Sequence, residues 1–122
     1  MEANKNSNII DEKEQKREAV KREYEIKEEQ LDKKEDEIDI KKDKLELQKN
    51  ELEKKEKQLE QEKKTIEDED RIKEIEMELR KIEKEKDKVE AEIDKLDQEE
   101  DKIEQEERRL KKEYRESMNK IK

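Results

Sequence analysis

Cysteine, histidine, glycine, proline, phenylalanine and tryptophan are all absent from this chain of 122 residues. Each absence closes a class of function. Without Cys or His, a zinc site has no ligands of the usual kind, and no disulfide can form. Without Gly, neither the sharp turn of an EF-hand loop nor a glycine-rich phosphate cradle can be built. Ser7, Thr65 and Ser117 are the only Ser and Thr hydroxyls, and no His stands ready to activate one as a nucleophile. Carboxylates abound, but acid and base roles need a pocket that drives two pKa values apart, and so charged a chain offers none. The chain is therefore read as non-enzymatic, with no catalytic residue, no metal, no cofactor and no small-molecule ligand.

Long apolar runs are missing too. No run exceeds two residues, as at Ile9 and Ile10, which predicts neither a membrane span nor a signal-peptide core. Glu2 occupies the place an N-myristoylated glycine would need, and prenyl or palmitoyl anchors would need Cys. A cytoplasmic location with no membrane partner is the expectation. Hydrophobic residues make up 25% of the chain and charged ones 63%, too little apolar surface to offset the entropy of folding a compact globule. Disordered segments share that balance but are typically rich in Pro, Gly and Ser. Here Glu, Lys, Leu, Gln and Arg dominate, all good helix formers with no breaker among them. Pairs such as Glu23 and Lys27, or Glu76 and Arg80, add i,i+4 support of about 0.2 to 0.5 kcal/mol each.

What is present is a heptad ladder. Tyr24, Leu31, Ile38, Leu45, Leu52, Leu59 and Ile66 follow one another at intervals of seven, which keeps one helix face against a partner helix. The companion core row is polar. With the ladder at d, position a reads Lys21, Glu28, Glu35, Lys42, Lys49, Glu56 and Lys63; with the ladder at a, position d reads Lys27, Lys34, Lys41, Gln48, Lys55 and Glu62. The first lettering resembles tolerated coiled coils more closely. Further on, Ile75, Ile82, Val89, Leu96, Ile103 and Leu110 form one row, and Ile72, Leu79, Ile93 and Tyr114 contribute to a second that Lys86, Glu100 and Glu107 interrupt.

Between the halves the spacing slips, because Ile66 and Ile75 are nine residues apart. The slip falls at residues 67–71, where Thr65 with Asp68 resembles a capping box and an acidic run suits a helix start. Charge also divides the halves: residues 41–66 hold nine Lys against seven acids, and residues 83–107 thirteen acids against five Lys. Folding back would bring opposite signs together. Yet Gly, Asn and Pro, the residues that usually make tight helix connections, are missing from the slip.

The expected fold is therefore all-α: a long continuous α-helix forming a coiled coil, with a phase slip at residues 67–71 and a reach of roughly 170 Å. The alternative is an antiparallel helical hairpin with its turn near residues 67–71. Residues 1–8 are expected to form a disordered polar tail, with Ser7 or Asn8 capping a helix over 9–121. The expected interface comprises Tyr24, Leu31, Ile38, Leu45, Leu52, Leu59, Ile66, Ile72, Ile75, Leu79, Ile82, Val89, Ile93, Leu96, Ile103 and Leu110. The corresponding function is an oligomerisation module, spacer or scaffold, with a homodimer or another coiled-coil protein as partner. A hairpin adaptor, a chaperone-like clamp and a monomeric single-helix ruler are the alternatives. A net charge of −9 opposes nucleic-acid binding, and the basic run Arg108–Arg109–Leu110–Lys111–Lys112 suits a helix C-terminus facing the dipole.

Overall fold

The computed structural model describes the backbone of residues 2–121 and the side chains of residues 11–121. Two helices account for it, α1 over Glu2–Thr65 and α2 over Glu69–Ile121, packed together with no strand among the described residues. The helix begins upstream of the expected start at Ile9, in a stretch without Gly or Pro to stop it. The cap expected from Ser7 or Asn8 lies outside the described side chains. No helix among the described residues is long and apolar enough to cross a membrane.

The unbroken helix is corrected to two, because Ile66, Glu67 and Asp68 are non-helical. The nine-residue step supplies the physical reason. Nine residues are about two and a half turns, so a continuous helix would set Ile66 and Ile75 on opposite faces and one partner could not cover both rows. Breaking the helix turns the second row back toward the first.

The turn needs no glycine, since no residue among those described takes a positive φ. Asp68, not Thr65, caps α2. Its carboxylate accepts the Asp70 N–H at 3.1 Å, and its carbonyl accepts the first helical bond from the Ile72 N–H at 3.0 Å. Thr65 stays with α1, its hydroxyl donating to the Glu62 carbonyl at 3.0 Å. Lys63 and Lys64 close α1 while Glu69 and Asp70 open α2, each charge matched to its helix end. A guanidinium clamp then ties the two ends. Arg71 donates Nε to Glu62 Oε1 at 2.9 Å and NH2 to Glu62 Oε2 at 3.0 Å, with a third bond to Glu74. That bidentate contact holds the Glu62 carboxyl below its ordinary pKa.

By contacts the chain divides into two units, Met1–Glu37 with Glu100–Lys122, and Ile38–Glu99. Each contains a stretch of both helices. In the second unit the helices are antiparallel: as numbers rise along α1 through Lys42, Lys49, Glu56 and Lys63, their partners fall along α2 through Asp97, Glu90, Lys86 and Glu76. Its apolar centre joins Leu52, Ile82 and Val89, with Leu45, Leu59 and Ile93 packed against them. Ile75 is fully buried near the turn. In the first unit Leu31 and Ile103 are buried, and the rings of Tyr24 and Tyr114 stack with centroids 4.5 Å apart.

Two outcomes test the turn. Replacing the cap, Asp68→Ala, is expected to cost about 1 kcal/mol in thermal unfolding followed by circular dichroism. Because the Glu62 pKa is depressed, its contribution is present above the unfolded carboxyl pKa and disappears as pH falls through the lower folded value. Glu62→Gln should therefore remove part of the acid-induced loss of stability, and an unchanged acid profile would contradict the clamp.

Candidate functional site

The feature that organises the second unit is a charged row inside its seam. Lys42, Lys49, Glu56 and Lys63 occupy successive a positions of α1 and are half-buried, whereas Lys41, Gln48 and Lys55 of the rival lettering are exposed. The apolar ladder therefore takes d. Each charge in the row meets its opposite on α2. Lys49 Nζ lies 3.2 Å from Glu90, Lys63 Nζ lies 3.3 Å from Glu76, and Lys42 pairs with Asp97.

The fourth pair joins core row to core row. Lys86 interrupts the second apolar row of α2, and its Nζ donates to Glu56 Oε2 at 3.0 Å. Their side chains are 22% and 27% exposed, the most covered of these four pairs. The hydrogen bond to Glu56 raises the Lys86 pKa, with Glu53 and Glu90 adding in the same direction.

The two edges of this unit differ in charge. On one edge Glu46, Glu53 and Glu60 of α1 share a heptad position, as do Glu76, Glu83, Glu90 and Asp97 of α2; the seam lysines reach acids of this set and neutralise them. On the other edge Lys41 and Lys44 of α1 and Glu92 and Glu99 of α2 line an open groove of about 370 Å³ floored by Leu45 and Leu96. A similar groove has Lys55 of α1 with Glu78 and Glu85 of α2 around Leu52, Leu59 and Ile82.

Every residue of the expected interface is at least half covered. In the second unit Ile38, Leu52, Ile75, Ile82, Val89 and Leu96 are buried, while Leu45, Leu59, Ile66, Ile72, Leu79 and Ile93 are half-buried. In the first, Leu31 and Ile103 are buried, and Tyr24 and Leu110 half-buried. Sequence reasoning overlooked the pairing of the polar row. Its signal was the mixture of signs at a positions, which gains meaning only when the opposing residues are known.

In the first unit acids stand at the core-row positions Glu28, Glu35, Glu100 and Glu107. Asp32, Glu35 and Glu107 place carboxylate oxygens within 4.8 Å of one another. Burial raises the Tyr24 pKa, with Glu28 the next cause and Glu107 acting in the same direction. The basic run Arg108–Lys112 is largely exposed, and Arg109 lies 3.9 Å from Glu113 on its own helix. Among the described residues four large apolar side chains remain exposed, Ile26, Ile40, Leu47 and Met77.

The Glu56–Lys86 pair should show its coupling in a charge swap. Glu56→Lys or Lys86→Glu alone sets like charges together across a half-covered seam, and each is expected to lower thermal stability. The double variant should recover most of the loss, with a coupling of about 1 kcal/mol or more. Additive losses would contradict the pairing. In the first unit, Glu107→Lys replaces one of three crowded carboxylates by a cation and should raise the melting temperature; a lower melting temperature would contradict the crowding. The raised Tyr24 pKa favours the folded chain below the ordinary tyrosine pKa, and that contribution is lost as pH rises through the raised value. A Tyr114→Phe variant should thus show its remaining tyrosine ionising later when folded than in denaturant, followed by ultraviolet absorbance.

No family model, no curated protein and no solved structure matches this chain.

Proposed function

We propose that the protein is a non-catalytic structural element, an antiparallel coiled-coil hairpin that acts as a spacer or scaffold and engages partners through its outer faces. One observation carries this reading: the seam of α1, apolar ladder and charged row together, is covered by α2 of the same chain. An oligomerisation module using that seam in a parallel, in-register pair would set Lys42, Lys49, Glu56 and Lys63 each against its own copy. Like charges directly opposed in a seam disfavour such a pairing. A homodimer or another coiled-coil protein would then meet the hairpin from outside, as an adaptor or clamp is met. Composition points the same way on catalysis, since the chain has no Cys or His and only three Ser or Thr hydroxyls.

The reading predicts a melting temperature independent of concentration through the low micromolar range, with a mass of 15.1 kDa by light scattering. Melting that rises with concentration in that range, together with a doubled mass, would assign the seam to self-association and overturn the hairpin element.

A further inference from the structure

We infer that the outer face of α1 around Ile40, Asp43, Lys44 and Leu47 is a contact for a second copy of this chain, packed in parallel. The inference rests on the reading of the protein as a self-contained hairpin, and names a partner for its outer face. Ile40 and Leu47 are 56% and 64% exposed, although large apolar side chains elsewhere in the unit mostly turn inward. They stand seven residues apart at one heptad position, opposite the seam. Asp43 and Lys44 fall three and four residues after Ile40, so the four side chains form one i, i+3, i+4, i+7 patch.

Charge selects both the occupant and its direction. Asp43 and Lys44 flank the apolar line on opposite sides, both are exposed, and no ion pair among the described residues engages either. Parallel packing about a twofold axis brings the left flank of one helix to the right flank of its copy, as e and g positions meet in parallel coiled coils. Asp43 then faces Lys44 of the second copy, twice, while Ile40 and Leu47 each meet their own counterparts. Antiparallel packing brings like flank to like flank, Asp43 to Asp43 and Lys44 to Lys44. Lys54, the next residue of the stripe, would oppose its own copy and ends the patch. So short a contact buries less than the roughly 1,200 Å² of a stable interface, and association is weak and concentration-dependent.

Sedimentation equilibrium of the full chain, carried to high micromolar concentration, tests this. Wild type is expected to show a monomer–dimer equilibrium at the upper end. Leu47→Lys and Asp43→Lys should each weaken it by roughly tenfold or more, and the double swap Asp43→Lys with Lys44→Asp should restore it. Circular dichroism on every variant separates a lost hairpin, which would sink the underlying reading, from a lost contact. Direction is read by Lys54→Cys in a chain otherwise free of cysteine, which should form a disulfide dimer on mild oxidation. A helical chain that stays monomeric throughout, a dimer indifferent to Leu47→Lys, or a double swap that fails to restore association would each overturn the inference and leave the hairpin standing.

Discussion

Four charges on the inner face of α1 decide what can lie against it. Lys42, Lys49, Glu56 and Lys63 sit half-covered where a stronger zipper would carry leucine or isoleucine, and a covered charge without an opposite is costly. The stretch of α2 in the same unit supplies an opposite for each, at Asp97, Glu90, Lys86 and Glu76. The apolar ladder supplies attraction to any helix with a similar stripe. The charged row narrows that choice to a partner running the other way with the right signs, and the chain carries that partner itself.

The turn follows from the same requirement. A spacing of nine between Ile66 and Ile75 leaves the two apolar rows half a turn out of phase on a straight helix, so the rows can meet only if the chain breaks. Asp68 makes the break inexpensive by capping α2, and the Glu62–Arg71 clamp holds the two ends. None of this needs a residue with positive φ, so a chain without glycine can still turn sharply.

Much of this was legible in the sequence. The heptad rows, the absence of a globular core and the shift from basic to acidic halves are all local or compositional. The break was harder to see, because it was judged by the residues that usually make turns and not by helical phase, where nine residues count as a half-turn. The charged row was read only as a polar companion to the ladder. A lysine at an a position is a defect or a lock depending on what opposes it, and Lys86, which interrupts the second apolar row of α2, is the answer to Glu56. In the first unit the core rows carry Glu28, Glu35, Glu100 and Glu107. Its stacked tyrosines contribute ring-to-ring packing beside those acids. Function was the least legible, since a hairpin of this kind states its geometry and its charge but not its address.

The most direct test of the central claim is a spin-label distance within the second unit. Labels at Lys44→Cys and Lys95→Cys, both lining one groove, should report a separation of roughly 10 to 25 Å, set by helices packed at 8 to 10 Å plus the label arms. That distance should persist when the labelled protein is diluted into a large excess of unlabelled chain and refolded, as a contact within one chain must. A separation near the roughly 75 Å that residues 44 and 95 would have along an unbroken helix, or a short distance that vanishes on dilution, would contradict the account.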